Sequence, residues 1–253
     1  MKRFLQPLLL VLCGLGLLHV SLFTDLYLRY VKEGMRPLLI ASGAVLLLLG
    51  LAGAVLDKQK EEGEEEEGHG GHGHDHSGLP RVAWLLLLPA LSLLFYAPPA
   101  LGAYTASRQP PKVIAEESDF DPLPAISPVP MTLSDFTSRV QQDRDDQDVK
   151  GRSILMTGFV TPGGPGGSWD LTRVILNCCA ADAQSVKVRI YGGPALSANT
   201  WVTVTGTWHP GGKLGTRSAP VALDARTVKK VPRPWNAYQD SLPPGALSLG
   251  ATR

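Results

Sequence analysis

The chain has 253 residues, with 24 Lys and Arg against 23 Asp and Glu, which gives a formal net charge of +1. A protein dedicated to binding nucleic acid is expected to carry a basic excess, so this balance argues against that class. The hydrophobic fraction of 44% is ordinary for a globular protein, but the hydrophobic residues are distributed unevenly along the chain.

Apolar runs without charged residues occupy positions 4–24, 37–56 and 82–107. Each is roughly 20 residues or longer, which is the length that an α-helix needs to span ~30 Å of hydrocarbon. We therefore predict three transmembrane helices, arranged as a hairpin over residues 1–56 and a third helix over residues 81–104. Lys2 and Arg3 lie directly before the first span and favour a cytoplasmic N terminus. With an odd number of spans, the C-terminal domain is then expected outside the cytoplasm.

The loop between the second and third spans, residues 57–80, is acidic and rich in glycine and histidine. Its histidines are His69, His72, His74 and His76, and the interleaved glycines disfavour a helix or a strand. Imidazoles on a flexible backbone can converge on one Zn²⁺, Ni²⁺ or Cu²⁺, and the neighbouring glutamates add attraction for cations. We expect a weak, promiscuous loop that collects metal ions. The alternative is a solvated acidic linker whose histidines have no role.

A proline-rich linker over residues 105–130 is predicted to lead into a soluble domain over residues 131–232. Thr132 and Asp135 have capping-box spacing at the start of a short helix. The remaining signals are all β, with strands predicted at residues 153–160, from 169 onward, and at 186–191, 201–208 and 221–231. About five short strands and one helix favour a small, mainly-β, OB-like barrel. The tail over residues 233–253 is expected to be loose.

Cys178 and Cys179 are two of the chain's 3 cysteines, and Asp182 follows them closely. Two thiols and a carboxylate within five positions suit a soft or borderline metal such as zinc, or thiol redox chemistry. Because neighbouring Cα atoms are ~3.8 Å apart and ordinary disulfides need roughly 4.4 Å or more, a routine structural disulfide is disfavoured. Metal coordination is our leading interpretation. Adjacent residues in a regular strand cannot easily reach one ion, so a bend or a ligand from elsewhere is required.

Other roles for the cysteine pair stay open. Redox chemistry or thiol transfer comes second to metal binding. Nucleophilic catalysis comes third because His209, the only histidine of the C-terminal domain, has no evident Asn or Asp companion in the sequence. In the simplest alternative, one thiol packs in the core and the other points into the loop without a function.

Short motifs along the chain are Gly-Phe-Val at 158–160, Leu-Thr-Arg at 171–173, Cys-Cys-Ala-Ala-Asp-Ala at 178–183, Trp-Val-Thr-Val-Thr-Gly at 201–206, and a hairpin from Tyr30 to Pro37. Together they resemble the YcgQ-type permease-subunit family of bacteria, and the likeness spans nearly the whole chain. The resemblance implies N-terminal membrane helices, a polar loop and a C-terminal domain. It also implies an accessory role beside a multi-spanning permease of the YcgR/YraQ type, with a link to metal homeostasis.

These observations lead to one expected function and two alternatives. We expect a multi-pass protein of the bacterial cell membrane that serves as an accessory permease subunit, handles divalent metal such as zinc, and is not an enzyme. Its expected partners are the membrane, the permease and the metal ion. The alternatives are a membrane-anchored thiol redox protein acting through Cys178 and Cys179, and a metal-sensing module without a partner channel.

Overall fold

The computed structural model describes residues 2–63, 100–110, 120–143, 149–194 and 196–246. The chain divides into two compact units, Met1–Ala100 and Leu101–Arg253. We refer to them as the helical unit and the barrel unit.

The helical unit contains α1 (Lys2–Phe23) and α2 (Arg36–Gly63), which pack against each other as a hairpin. Glycines allow the close approach, since a Cβ added to Gly14 would come within 2.8 Å of backbone atoms of α2. The connection contains the 3₁₀ turns Leu26–Arg29 and Glu33–Met35. Arg36 closes the hairpin by donating hydrogen bonds of 2.8 Å and 3.3 Å to the backbone oxygens of Ser21 and Leu22, at the end of α1.

Both helices are long and apolar enough to cross a membrane. The qualifying segments are Gln6–Phe23 and Glu33–Leu56, with mean hydropathies of 1.9 and 2.5. They correspond to the first two predicted spans, and they are the two candidates within the part of the chain that the structure describes. Most of the predicted third span, residues 81–104, lies outside the described residues, as does most of the acidic, histidine-containing loop.

The described residues of the barrel unit form a sheet of six strands. They are β1 (Val129–Pro130), β2 (Ile154–Thr161), β3 (Trp169–Ile175), β4 (Gln184–Tyr191), β5 (Trp201–Trp208) and β6 (Ala222–Lys230). The sheet order β1-β2-β3-β4-β6-β5 closes on itself because β2 also pairs with β5. All ring pairings are antiparallel except that of β4 with β6, which is parallel. A closed five-stranded ring of this kind is consistent with the predicted OB-like barrel.

Two short helices cover the barrel. The first, α3 (Ala103–Arg108), buries Ala103 and Ala106 against Phe159 and Val174. The second, α4 (Leu133–Gln142), buries Leu133, Phe136 and Val140 in the main core. Its predicted N-cap is confirmed, since the Thr132 side chain accepts a hydrogen bond of 3.0 Å from the Asp135 N–H.

The barrel unit extends beyond the predicted domain on both sides. It begins at Leu101, whereas the sequence placed the domain start at residue 131, after a linker. The residues from 236 to 240, which we call the tail strap, also pack on the barrel. Tyr238 is buried, its carbonyl accepts from Leu176 N–H at 3.2 Å, and its hydroxyl donates to the Leu101 carbonyl at 3.2 Å.

Candidate functional site

The two vicinal cysteines lie in the loop that joins β3 to β4. The loop starts at Leu176, whose side chain is buried and whose N–H is bonded to the tail strap. It ends with a 3₁₀ turn, Ala180–Asp182, immediately before β4. We call residues 176–183 the cysteine loop. Because both of its ends are fixed to strands, its short exposed middle is held at the rim of the barrel.

Asp182 organises this loop from within. Its carboxylate accepts hydrogen bonds of 3.0 Å from the Asn177 N–H and 2.7 Å from the Cys178 N–H. The Asp182 N–H in turn donates to the Cys179 carbonyl at 3.1 Å. Aspartate is suited to this role because its short side chain can bond to backbone groups nearby in sequence. The loop is therefore bent where the two cysteines lie.

The bend brings the two thiols together. In a regular strand, successive side chains point to opposite faces. Here the sulfur atoms of Cys178 and Cys179 are 3.6 Å apart, with Cys178 exposed and Cys179 partly exposed. A bend at this point was expected if both thiols were to bind one ion. The hydrogen bonds of Asp182 produce this bend.

The same carboxylate keeps the Cys178 thiol protonated. A hydrogen bond to Asp182, followed by one to Cys179, raises the pKa of Cys178 to about 11. The reciprocal effect lowers the pKa of Asp182, chiefly through its hydrogen bond with the Cys178 side chain. In the metal-free protein, Cys178 is thus a neutral thiol at physiological pH, and a thiolate-binding cation would have to displace its proton.

The structure brings together three of the predicted site residues, Cys178, Cys179 and Asp182. The remaining four, His69, His72, His74 and His76, lie outside the described residues. Within the described ranges, no group of three or more His, Cys, Asp or Glu side chains is arranged to hold a metal ion. The cysteine loop therefore offers the two thiols, while both Asp182 oxygens already bond to backbone N–H groups.

Arg173 is a buried residue that the sequence reasoning did not identify as part of the site's support. Its side chain is fully buried, and its Nε donates at 2.8 Å to the Thr157 carbonyl on β2. Its Nη1 donates at 3.1 Å to the Gln239 carbonyl in the tail strap, and its guanidinium lies 4.9 Å from the Trp201 ring centre. Burial lowers the pKa of Arg173 to about 10, and Asp240 partly opposes this effect, so the side chain stays charged at neutral pH. The available signal was an arginine in the middle of a strand that is otherwise mostly buried.

The sequence reasoning also missed the companion of His209. Its Nδ1 lies 2.7 Å from Oδ1 of Asp224, and its ring stacks on Tyr191 at 4.2 Å between centroids. This pair does not join the thiols, however. Tyr191 ends β4, whereas the cysteine loop precedes the first residue of the same strand, and eight residues in a strand extend for about 25 Å. The expectation that His209 lacks an acidic companion was wrong, but the histidine remains remote from Cys178.

Comparison with protein families finds a match to most of the barrel unit. Residues 133–239 match the family model described as the DUF1980 C-terminal domain. The matched segment contains the cysteine loop and extends to Gln239, the residue of the tail strap that contacts Arg173. No curated protein and no solved structure matches the chain. The barrel unit is thus similar to the DUF1980 C-terminal domain over most of its length, which loosely fits the resemblance to the YcgQ-type family.

Proposed function

We propose that this protein is a membrane-anchored accessory subunit of a transport system, in which Cys178 and Cys179 bind a divalent metal ion such as zinc and pass it on. The supporting observation is the 3.6 Å separation of the two sulfur atoms. Two thiolates bound to one tetrahedral zinc, each at about 2.3 Å, lie about 3.8 Å apart. The thiols are thus preorganised for one ion with little further movement.

An incomplete ligand set favours transfer over permanent storage. Structural zinc sites have four protein ligands, and a site with two exposed thiols leaves positions free for water or for a ligand of another protein. In this proposal the metal ion is cargo. The histidines at positions 69, 72, 74 and 76 would collect ions, and a multi-spanning permease partner would supply the translocation path.

Thiol redox chemistry is the alternative, and the pKa of Cys178 counts against it. A thiol with a pKa of about 11 is almost entirely protonated at neutral pH, whereas reactive cysteines have lowered pKa values. A bound cation reverses this situation because it stabilises the thiolate. The same local structure therefore suits a metal ligand better than a nucleophile.

The direct test is the zinc content of the full chain, purified in mild detergent, for the wild type and for three variants. The doubly substituted Cys178→Ser/Cys179→Ser variant should lose the tighter bound zinc, and a deletion of residues 68–77 should lose only weakly bound metal. Cys13→Ser is the matched control, since this thiol is exposed in α1 and outside the barrel unit. Zinc content that is identical in all four proteins would contradict the proposal.

The transport role needs a separate measurement. The wild-type protein, expressed together with a multi-spanning permease of the YcgR/YraQ type and extracted in mild detergent, should co-purify with that permease. The Cys178→Ser/Cys179→Ser variant should still co-purify, because the cysteine loop is proposed to carry cargo and not to hold the partner. Recovery of the wild-type chain alone under these conditions would argue for a metal-sensing module without a partner channel.

A further inference from the structure

Large exposed hydrophobic side chains are few in the barrel unit, and they cluster. Within its described residues they are Tyr104, Trp235 and Leu242, which are 71%, 74% and 43% exposed. Single exposed apolar residues are common on soluble proteins. Tryptophan at this exposure is less easily explained, since it leaves a large apolar ring in water.

The segments carrying these side chains meet near Leu101, the first residue of the barrel unit. Tyr104 follows Leu101 closely in α3, and the Tyr238 hydroxyl of the tail strap donates to the Leu101 carbonyl at 3.2 Å. Trp235 lies three residues before Tyr238. It shares an apolar cleft with Leu242, and the cleft is lined mainly by valine and proline side chains. Tyr104 and Trp235 thus lie on two segments, one before and one after the strands of the barrel, that meet at the hydrogen bond between Leu101 and Tyr238.

Basic side chains accompany these aromatic rings. The Arg108 guanidinium lies 3.7 Å from the centre of the Tyr104 ring, and the Arg233 guanidinium lies 5.1 Å from that of Tyr238. Lys229 and Lys230 are exposed at the end of β6, directly before the cleft. Tyrosine, tryptophan and basic residues together are characteristic of the boundary between lipid headgroups and acyl chains, where an apolar body and a polar or charged tip are both accommodated.

We propose that the face formed by Tyr104, Trp235 and Leu242 inserts into the headgroup region of the lipid bilayer. The position of Leu101 favours the bilayer as the occupant, because the charge-free apolar run that starts at residue 82 leads directly into it. A domain that begins at the end of such a segment has its first residues at the membrane surface. This inference depends on the membrane anchoring in the proposed function, but it does not depend on metal binding.

Tryptophan quenching by brominated lipid tests this contact in the full chain. Trp84 lies in the predicted third span and would be quenched whether or not Trp235 contacts lipid, so both proteins in the comparison carry Trp84→Phe. The protein is reconstituted into vesicles of phosphatidylcholine and phosphatidylglycerol, with brominated or unmodified acyl chains. The Trp84→Phe protein should lose emission in brominated vesicles, and Trp84→Phe/Trp235→Phe should lose none. The remaining tryptophans, at positions 169, 201 and 208, belong to the barrel and report that it is folded.

Three outcomes would overturn the proposal. Absence of quenching in the Trp84→Phe protein would mean that Trp235 does not reach the bilayer. Equal quenching with and without Trp235 would assign the lipid contact to another face. A blue shift of Trp235 emission that vanishes as the protein is diluted in lipid would indicate that a second copy covers the face. Zinc content should be the same in both proteins, so a failure here leaves the metal proposal to its own test.

Discussion

At the scale of single residues, Asp182 connects the local fold to the chemistry of the thiols. Its two backbone hydrogen bonds bend the cysteine loop, and the hydrogen bond between its carboxylate and the Cys178 thiol raises the pKa of that thiol. A carboxylate that organises a loop through backbone N–H groups is a common structural device. Beside the vicinal cysteine pair it also lowers the reactivity of the Cys178 thiol by raising its pKa.

Asp182→Asn should therefore make Cys178 more reactive. The amide keeps one oxygen acceptor for the loop but removes the carboxylate that bonds to the thiol, so the pKa of Cys178 should fall from about 11 towards its ordinary value of 9.0. At pH 8 this change should speed alkylation by iodoacetamide about tenfold or more, since the thiolate is the reacting species. Mass spectrometry in a Cys179→Ser background resolves the site. Asp224→Asn, which alters a carboxylate beside His209, should leave the rate unchanged.

Arg173 is the residue whose loss should most disturb the support of the cysteine loop. Arg173→Leu leaves the Thr157 and Gln239 carbonyls without their donor, and it removes the buried charge that faces Asp240. We expect a loss of roughly 2–4 kcal/mol in the free energy of unfolding. Thermal melts followed by tryptophan emission measure it. The comparison variant is Arg189→Leu, which breaks a partly exposed pair with Asp170 and should cost less than about 1 kcal/mol. Equal melting temperatures for the two variants would contradict this role of Arg173.

At the scale of secondary-structure elements, α3 is held by a cap supplied from a distant loop. Asn199 adopts a positive φ of 65°, and its side-chain oxygen accepts a hydrogen bond of 2.7 Å from the Ala103 N–H. Gln109, at the end of α3, donates at 3.3 Å to the Ala183 carbonyl of the cysteine loop. The helix therefore links the start of the barrel unit to the candidate site.

Asn199→Gly tests this cap without straining the backbone, because glycine accepts a positive φ. Loss of this hydrogen bond should cost about 1 kcal/mol, which makes amide hydrogen exchange in α3 roughly fivefold faster. Exchange should also rise at the end of the cysteine loop if Gln109 transmits the change. Asn199→Asp retains the acceptor and serves as the control. Unchanged exchange in α3 after Asn199→Gly would show that packing of Ala103 and Ala106 alone holds the helix.

The elements that the sequence predicted well are those whose partners are close in sequence. Strand β5 was predicted at its observed bounds, 201–208, because its sequence has a strand-like pattern, and its residues alternate strictly between partly buried and buried. The cap of α4 was readable from Thr132 and Asp135. By contrast, α3 ends an apolar run that is typical of a membrane span, and the tail strap contains polar residues and is flanked by prolines, as is typical of a loose segment. Both are ordered by contacts with residues far away in sequence, which no local pattern records.

At the scale of the whole molecule, the candidate site was predictable in its residues and not in its geometry. Adjacent cysteines followed by an aspartate indicated metal or thiol chemistry. Only the folded loop places the sulfur atoms 3.6 Å apart on one side. The separation of His209 from the thiols likewise arises because they lie near opposite ends of β4, and the sequence alone does not show this. The molecule contains two apolar helices in its helical unit and two accessible thiols at the rim of its barrel unit.

The proposed binding of zinc by the two thiols of the whole protein predicts that zinc affinity increases as the pH rises. With its pKa raised to about 11, Cys178 is protonated throughout the range from pH 6.5 to 8.5, so each bound zinc must release at least that proton. The dissociation constant should then fall about tenfold per pH unit for each proton released. Competition with a chelating dye measures the affinity, and calorimetry in buffers of different ionisation enthalpy counts the protons. Cys178→Ser should lose about one proton from that count, and Asp182→Asn should bind zinc more tightly than the wild type at pH 7. An affinity that stays constant over this range would exclude Cys178 as a ligand, because zinc cannot bind its thiolate without releasing the thiol proton.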